Sequence, residues 1–261
     1  MSLEWKSQCE SLNSESLADL LGNRIGSVQV DDFLSSDQCH ALLKSLDGMK
    51  FKHYDYSFDE KDAPPALHIF DTHYLYEDKS SDEYKKSTLE SRELYSRLSE
   101  ESGFSVVEQL FLKLSQNWKT VVTEAKENSY SYFPCIAREL NDSVLLHADY
   151  APFAQGEWQI KHIVAELAWN IFLTTPDDGG ECLVYNRPWI PRDDDKIVKD
   201  TYGYEKSIIE GSDFLRANPV KGKLVLFNSR NFHEVKQASG RRVAIGGHIG
   251  LTPEGALIAW S

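Results

Sequence analysis

The 261-residue chain is short of basic residues, of cysteine pairs and of long apolar runs. Lys and Arg number 28 against 41 Asp and Glu, a formal charge of −13. Nucleic acids and anionic membranes attract basic surface, so this balance argues against both as partners. The acidic residues are spread along the chain, and solubility accounts for them. The four cysteines (Cys9, Cys39, Cys135 and Cys182) form no CxxC pair. A chain of this size needs no disulfides, so the pattern suits a reducing cytosol, and a cytoplasmic location is expected. No apolar run approaches the roughly 20 residues of a membrane helix. The opening residues MSLEWKSQCESLNSESLADLL lack the basic-then-apolar order of a secretory leader. There is no internal repeat and no long low-complexity tract.

The chain does have enough apolar (41%) and aromatic (11%) residues to build a sizeable core, and residues 1–261 read as a single globular domain. SESLADLLG (14–22) predicts a short helix capped by Ser14 and stopped by Gly22. IGSVQVDDF (25–33) contains an alternating strand, and SSDQCHALLKSL (35–46) a capped helix with Cys39, Leu42, Leu43 and Leu46 on one face. Residues 53–90 are mixed and predict one or two strands with a mobile loop. FSVVEQLFLKLSQNWKTVVTEAK (104–126) has helical periodicity through Val107, Leu110, Phe111, Leu114, Trp118, Val121 and Val122.

From about residue 128 the period changes to two. Strands are predicted at 130–140, 143–150, 164–175, 179–186, 222–228 and 241–252, with another at 256–261; turn residues lie between them. The chain therefore reads as mainly β with flanking helices, a two-sheet sandwich in which 1–127 is a helical and mixed support and 128–261 the core. Residues 187–218 form a long charged and aromatic insertion of the kind that serves as a lid.

VLLHADYAPF (144–153) places His147 and Asp149 two residues apart. In a strand, i and i+2 share a face, so the imidazole and the carboxylate project together. The triplet alone reads first as a strand end with one polar edge. GKLVLFNSRNFHEVKQASGRRVAIGG (222–247) adds His233 after a short loop past a strand, and an arginine pair, Arg241 and Arg242, opening the next strand. Two histidines and a carboxylate make the facial set of non-haem Fe(II) oxygenases, with positions left for cosubstrate and oxygen. Three ligands and a water also suit a zinc hydrolase, though such a site has no use for the downstream arginine. An arginine behind the metal suits bidentate binding of a distal carboxylate.

HxD, a distal His and Gly240-Arg241-Arg242 resemble the Fe(II)/2-oxoglutarate-dependent dioxygenase superfamily. DDFLSSDQCHALLKSL resembles the strand-to-helix entry of its prolyl-4-hydroxylase-like branch. AWNIFLTTPDDGGECLVYNRPW and RRVAIGGHIGLTPEGALIAWS are similar to the small-molecule halogenase and hydroxylase group, which includes free-amino-acid and hapalindole-type alkaloid halogenases. The likeness covers about 130–261 well and the first half loosely. It implies a double-stranded β-helix (jelly roll, cupin-like). It also implies Fe(II) held by His147, Asp149 and His233, and 2-oxoglutarate on that metal with its far carboxylate on Arg242. Arg241 alternates away. Halogenases of this group have Gly or Ala at the position of Asp149, which opens a site for chloride. The aspartate therefore implies the hydroxylase branch: O2 and 2-oxoglutarate consumed, succinate and CO2 released, and an unactivated C–H of a free amino acid or related metabolite hydroxylated.

Four residues are substrate candidates, each with a structural alternative. Arg138, which recurs at the matching place in the alkaloid halogenases, reads as a carboxylate contact or an ion pair. Trp189 reads as a pocket wall or as core. His248 shares Arg242's face and reads as substrate-facing or structural. Tyr150 follows the aspartate and reads as a substrate contact. Trp169 and Asn170 interrupt an apolar strand and read as cavity lining or core. His73, His162 and the run Asp193-Asp194-Asp195 read as structural or solvated. Two other functions fit parts of the pattern: a peptide or protein residue hydroxylase, and a metal-binding jelly-roll module without catalysis. A small-molecule partner is expected; the sequence leaves the oligomeric state open.

Overall fold

The structure is a computed structural model and describes residues 5–53, 66–76, 82–127, 129–154 and 158–261. Much of the loop expected within 53–90 falls at 54–65 and 77–81, outside the described residues. The N-terminal half contains β1 (Lys6–Ser11), α1 (Ser14–Leu21), β2 (Ile25–Val30), α2 (Ser36–Asp47), β3 (Lys52–His53), β4 (Ala66–Ile69), α3 (Asp82–Ser102) and α4 (Val106–Ser115). After it come β5 (Thr123–Glu124), β6 (Ile136–Leu140), β7 (Val144–His147), α5 (Ala151–Ala154), β8 (Ala165–Phe172) and β9 (Asp178–Gly179). The chain continues with β10 (Cys182–Pro188), β11 (Phe214–Ala217), β12 (Leu224–Asn228), β13 (Asn231–Val235), β14 (Ala238–Ser239), β15 (Val243–Leu251) and β16 (Leu257–Trp260).

Local chemistry explains most helix ends. The cap of α1 is Asn13, one residue before the expected Ser14; its side chain accepts from the N–H groups of Glu15 and Ser16. Ser35 and Gln38 close a capping box on α2, and Cys39, Leu42 and Leu46 are buried as expected, with Leu43 only partly so. The sequence did not predict the 21-residue α3. Its buried residues are Tyr84, Ser87, Thr88, Ser91 and Leu98, so it carries no apolar stripe for periodicity to detect.

The single helix predicted over 104–126 stops at Ser115. Asn117 Nδ2 donates to Lys113 O at 2.9 Å, and Ser115 Oγ accepts from Val122 N at 3.0 Å. These side chains take over the last-turn hydrogen bonding, and Val121 and Val122 part company: Val121 is 71% exposed and Val122 3%.

Two sheets face each other. The main one contains 10 strands; its principal path is β1-β2-β12-β8-β15-β6-β4-β3, with β16 and β5 joined through β15. The smaller runs β11-β10-β13-β7. This is the jelly roll expected from the resemblance. On its outer face the main sheet buries Leu167, Trp169, Ile171, Val243 and Ile245 against Leu17, Leu20, Leu42, Leu46, Leu110 and Leu114 of the helices. Trp169 is therefore core. On the inner face Ala168, Phe172, Val225, Phe227 and Ala244 meet Cys182, Val184, Leu215 and Ala217 of the smaller sheet.

The insertion at 187–218 is more than a loop. Phe214–Ala217 pairs with β10 as an edge strand. Trp189, Tyr204, Ile208 and Ile209 pack with Leu146, Leu183, Tyr185 and Phe232 on the smaller sheet. All four cysteines are free, and no described helix is long and apolar enough to cross a membrane.

Candidate metal centre

His147 ends β7, and His233, which the sequence placed after a short loop past a strand, lies opposite it in the centre of a further strand, β13. The same register sets His233 opposite Val184, whose side chain is in the inter-sheet core, so both imidazoles face inward. Each ring is held by its own strand: His147 Nδ1 lies 2.8 Å from Leu145 O, and His233 Nδ1 lies 2.9 Å from Asn231 O. With Nδ1 donating to a carbonyl, Nε2 keeps its lone pair for a metal.

Asp149 reaches the same point by another route. β7 stops at His147, so strand alternation does not extend to residue 149. Instead, Asp149 N donates to Ser229 O at 2.9 Å, which ties the segment to the turn between β12 and β13. Asp149 Oδ2 lies 3.8 Å from His147 Nε2 and 3.6 Å from His233 Nε2. One donor atom from each of the three residues falls within 4.8 Å of the others, a spacing that fits a single ion.

Protonation states suit that use. Burial, reinforced by the neighbouring His233, lowers the His147 pKa to about 4, leaving a neutral imidazole at neutral pH. Burial alone would raise the Asp149 carboxyl; the His147 and His233 imidazoles outweigh it and hold the group well below the usual carboxylate range.

Arg242 stands at the other end of the inner face. Its guanidinium lies over the Phe172 ring at 5.1 Å, and Nε donates to Gly180 O at 2.9 Å. It is buried, and no carboxylate among the described residues forms a salt bridge with it. Burial lowers its pKa to about 10, which still leaves it charged near neutrality. Arg241 points outward to Asp47 and Glu139.

The four substrate candidates divide. Arg138 is half-buried on the inner face, opposite Ala244 and His68, and its charge adds to the lowering of both the His147 and Arg242 pKa values. His248 is buried on that face too, with Nδ1 3.0 Å from Glu166 Oε1 and its ring stacked on Trp260.

Trp189 departs from the pocket-wall expectation. It packs with Leu146 and Phe232, the immediate neighbours of His147 and His233, and hence on the opposite face of the smaller sheet. Its indole donates to Asp194 and Tyr204. Tyr150 leans toward the same cluster under Arg230, 4.8 Å from guanidinium to ring centroid.

Three residues near the site escaped the sequence reading. Tyr202 packs edge-on against His147, and its hydroxyl accepts from Leu145 N. Phe227 packs against His233. Glu166 is fully buried and accepts from Ala151 N at 2.7 Å, bracing the stretch that follows Asp149. A charged residue in the largely apolar run AELAWNIF was the available signal.

Comparisons with known proteins bear on the family and the fold. The sequence model of the family "Carrier-protein-independent halogenase WelO5" matches residues 3–261. "Leucinostatins biosynthesis cluster protein S" of Purpureocillium lilacinum is 36% identical over 228 residues, 82% of this chain and 93% of that protein. An L-gamma-glutamyl-L-propargylglycine hydroxylase of Streptantibioticus cattleyicolor is 27% identical over 256 residues, 94% of this chain and 91% of that one. Among solved structures, an N-substituted L-amino acid dioxygenase from Burkholderia ambifaria in complex with alpha-KG superposes with a TM-score of 0.62 at 14% identity, covering 95% of this chain and 91% of that one.

Proposed function

The chain belongs to the carrier-protein-independent halogenase WelO5 family, and from that premise we propose that it hydroxylates an unactivated C–H bond of a free amino acid or a closely related small molecule. It is an Fe(II)/2-oxoglutarate-dependent dioxygenase. The observation that carries the choice of hydroxylation is Asp149, whose carboxylate oxygen stands within 4 Å of both imidazoles. Halogenases of the group have Gly or Ala there.

In this reading His147, Asp149 and His233 hold the Fe(II). The donor set supports it: two imidazoles with Nε2 turned inward and an ionised carboxylate, the facial set that leaves positions for other ligands. When bound, Fe(II) supplies the activation of O2, paid for by oxidation of 2-oxoglutarate to succinate and CO2. Arg242 binds the far carboxylate of 2-oxoglutarate. A buried guanidinium with no salt bridge to a carboxylate among the described residues favours an anionic ligand, and Phe172 keeps its face fixed. Arg138 and His248 face the substrate, and the apolar inner faces keep water from the reacting atoms. The amino-acid hydroxylase among the relatives supports a free amino-acid-like substrate.

The test is incubation with a metabolite library, Fe(II), 2-oxoglutarate and O2, read by mass spectrometry. A product heavier by one oxygen, with equimolar succinate, is expected from a free amino acid or a small derivative. Modification confined to peptides, or chlorination in the presence of chloride, would contradict the reading.

A further inference from the structure

We propose that Asn170 is a further cosubstrate-binding residue: its carboxamide hydrogen-bonds 2-oxoglutarate on the inner face of β8, between the triad and Arg242. The inference rests on the functional reading above.

Asn170 lies in the middle of β8, a central strand, between Val225 of β12 and Gly246 of β15. Asparagine is disfavoured in strands, and nothing in the local backbone calls for one here. Its inner-face neighbours Ala168, Phe172, Val225 and Ala244 are apolar. The carboxamide is half-buried and makes no hydrogen bond to any described residue. An amide in such a place takes its partner from a ligand bound between the sheets.

Gly246 clears the space. A Cβ there would stand 2.7 Å from Asn170 Oδ1 and 2.6 Å from Trp169 O. No left-handed φ requires glycine at 246, so what it provides is room beside the amide.

Position then selects the ligand. Along the inner face of β8, residues two apart are spaced by about 7 Å. Phe172 lies under the Arg242 guanidinium. Ala168 pairs with Phe227, whose ring packs on His233 at 4.9 Å. Asn170 is the step between these two. A five-carbon diacid that reaches from the metal to Arg242 crosses this step, and every oxygen it carries is an acceptor. Arg242 fixes one end of such a chain; an amide donor beneath it fixes its rotation.

The full-length protein loaded anaerobically with Fe(II) is titrated with 2-oxoglutarate, followed by the visible charge-transfer band and by calorimetry. Asn170→Ala is expected to raise the 2-oxoglutarate Kd about tenfold, the loss for a hydrogen bond to a charged group, and to shift the band maximum. Asn170→Asp, isosteric but anionic, is expected to cost more, and Asn170→Ser less. Fe(II) affinity without 2-oxoglutarate and the melting temperature should stay at wild-type values in the Ser variant, which separates loss of the hydrogen bond from misfolding. A 2-oxoglutarate Kd within twofold of wild type in both the Asp and Ser variants would overturn the proposal, as would a rise confined to the KM of the amino-acid substrate. Wild-type protein with neither band nor succinate would instead defeat the functional reading itself.

Discussion

His147 and His233 stand directly opposite each other across β7 and β13, with ring centroids 4.1 Å apart. One cross-strand pair thus brings together two residues far apart in the chain. Each ring is steered by a carbonyl of its own strand, and both Nε2 atoms turn toward Asp149 Oδ2. Asp149 completes the set from outside the strands, and its backbone depends on the turn at Ser229.

Asp149→Gly should remove the carboxylate while leaving both imidazoles in place. Hydroxylation is expected to fall by about 100-fold, at least what loss of a metal's supporting group costs. Chloride should then perturb the spectrum of the anaerobic Fe(II)–2-oxoglutarate complex, and a chlorinated product is the accompanying outcome. A variant that keeps native Fe(II) affinity and full hydroxylation would show that Asp149 is not a ligand.

Arg242→Ala should weaken 2-oxoglutarate binding by about 100-fold or more, since it strips the partner from a buried carboxylate. Arg242→Lys should recover only part of the affinity, because an ammonium lacks the planar fork. Calorimetric titration of the Fe(II)-loaded, oxygen-free protein measures both. Unchanged binding in the Ala variant would favour a metal-binding module without this cosubstrate.

Glu166→Gln should disturb two things at once. Glu166 meets His248 Nδ1 at one oxygen and Ala151 N–H at the other. The variant is expected to lose about 1–3 kcal/mol of stability, the cost of weakening a buried hydrogen-bonded charge. Fe(II) affinity should fall by about tenfold through the loosened 149–151 stretch, a supporting-group effect. Denaturant unfolding and metal titration separate the two; a stability loss with native metal affinity would limit Glu166 to a structural role.

His73 carries an acid-sensitivity prediction. Burial lowers its pKa to about 3 against an ordinary 6.5, with the hydrogen bond to Ser261 O only partly opposing. The unfolded chain therefore binds the extra proton between pH 6.5 and about 3 and the folded chain does not. Stability is complete above 6.5 and is lost as pH falls through that window, by up to about 1.4 kcal/mol per pH unit. In urea unfolding of metal-free protein, His73→Gln should flatten the slope of stability against pH. An unchanged slope would mean that His73 is not the group responsible.

The helix at 82–102 and the truncation of the one at 106–115 were the least legible parts of the fold, for opposite reasons. The first buries serine and threonine against its neighbours, so its pattern looks solvated. The second sits at the head of an apolar periodicity that runs on past the point where Ser115 and Asn117 divert the backbone. Trp189 misled because an indole beside a long insertion resembles a pocket wall. Only the packing on Leu146 and Phe232 assigns it to the far face.

By itself the sequence determined the chemistry. HxD, the distal histidine and the Gly-x-Arg carry donor types that few other functions require in that order, and period-two runs betray strands wherever one face is buried. Strand pairing and turns were decided only by the tertiary structure. They put His233 in register with His147, Asp149 against Ser229, and Asn170 over the gap left by Gly246. Those relations join residues distant in the chain, and cross-strand register is set by the packing of both faces at once, which no local pattern encodes.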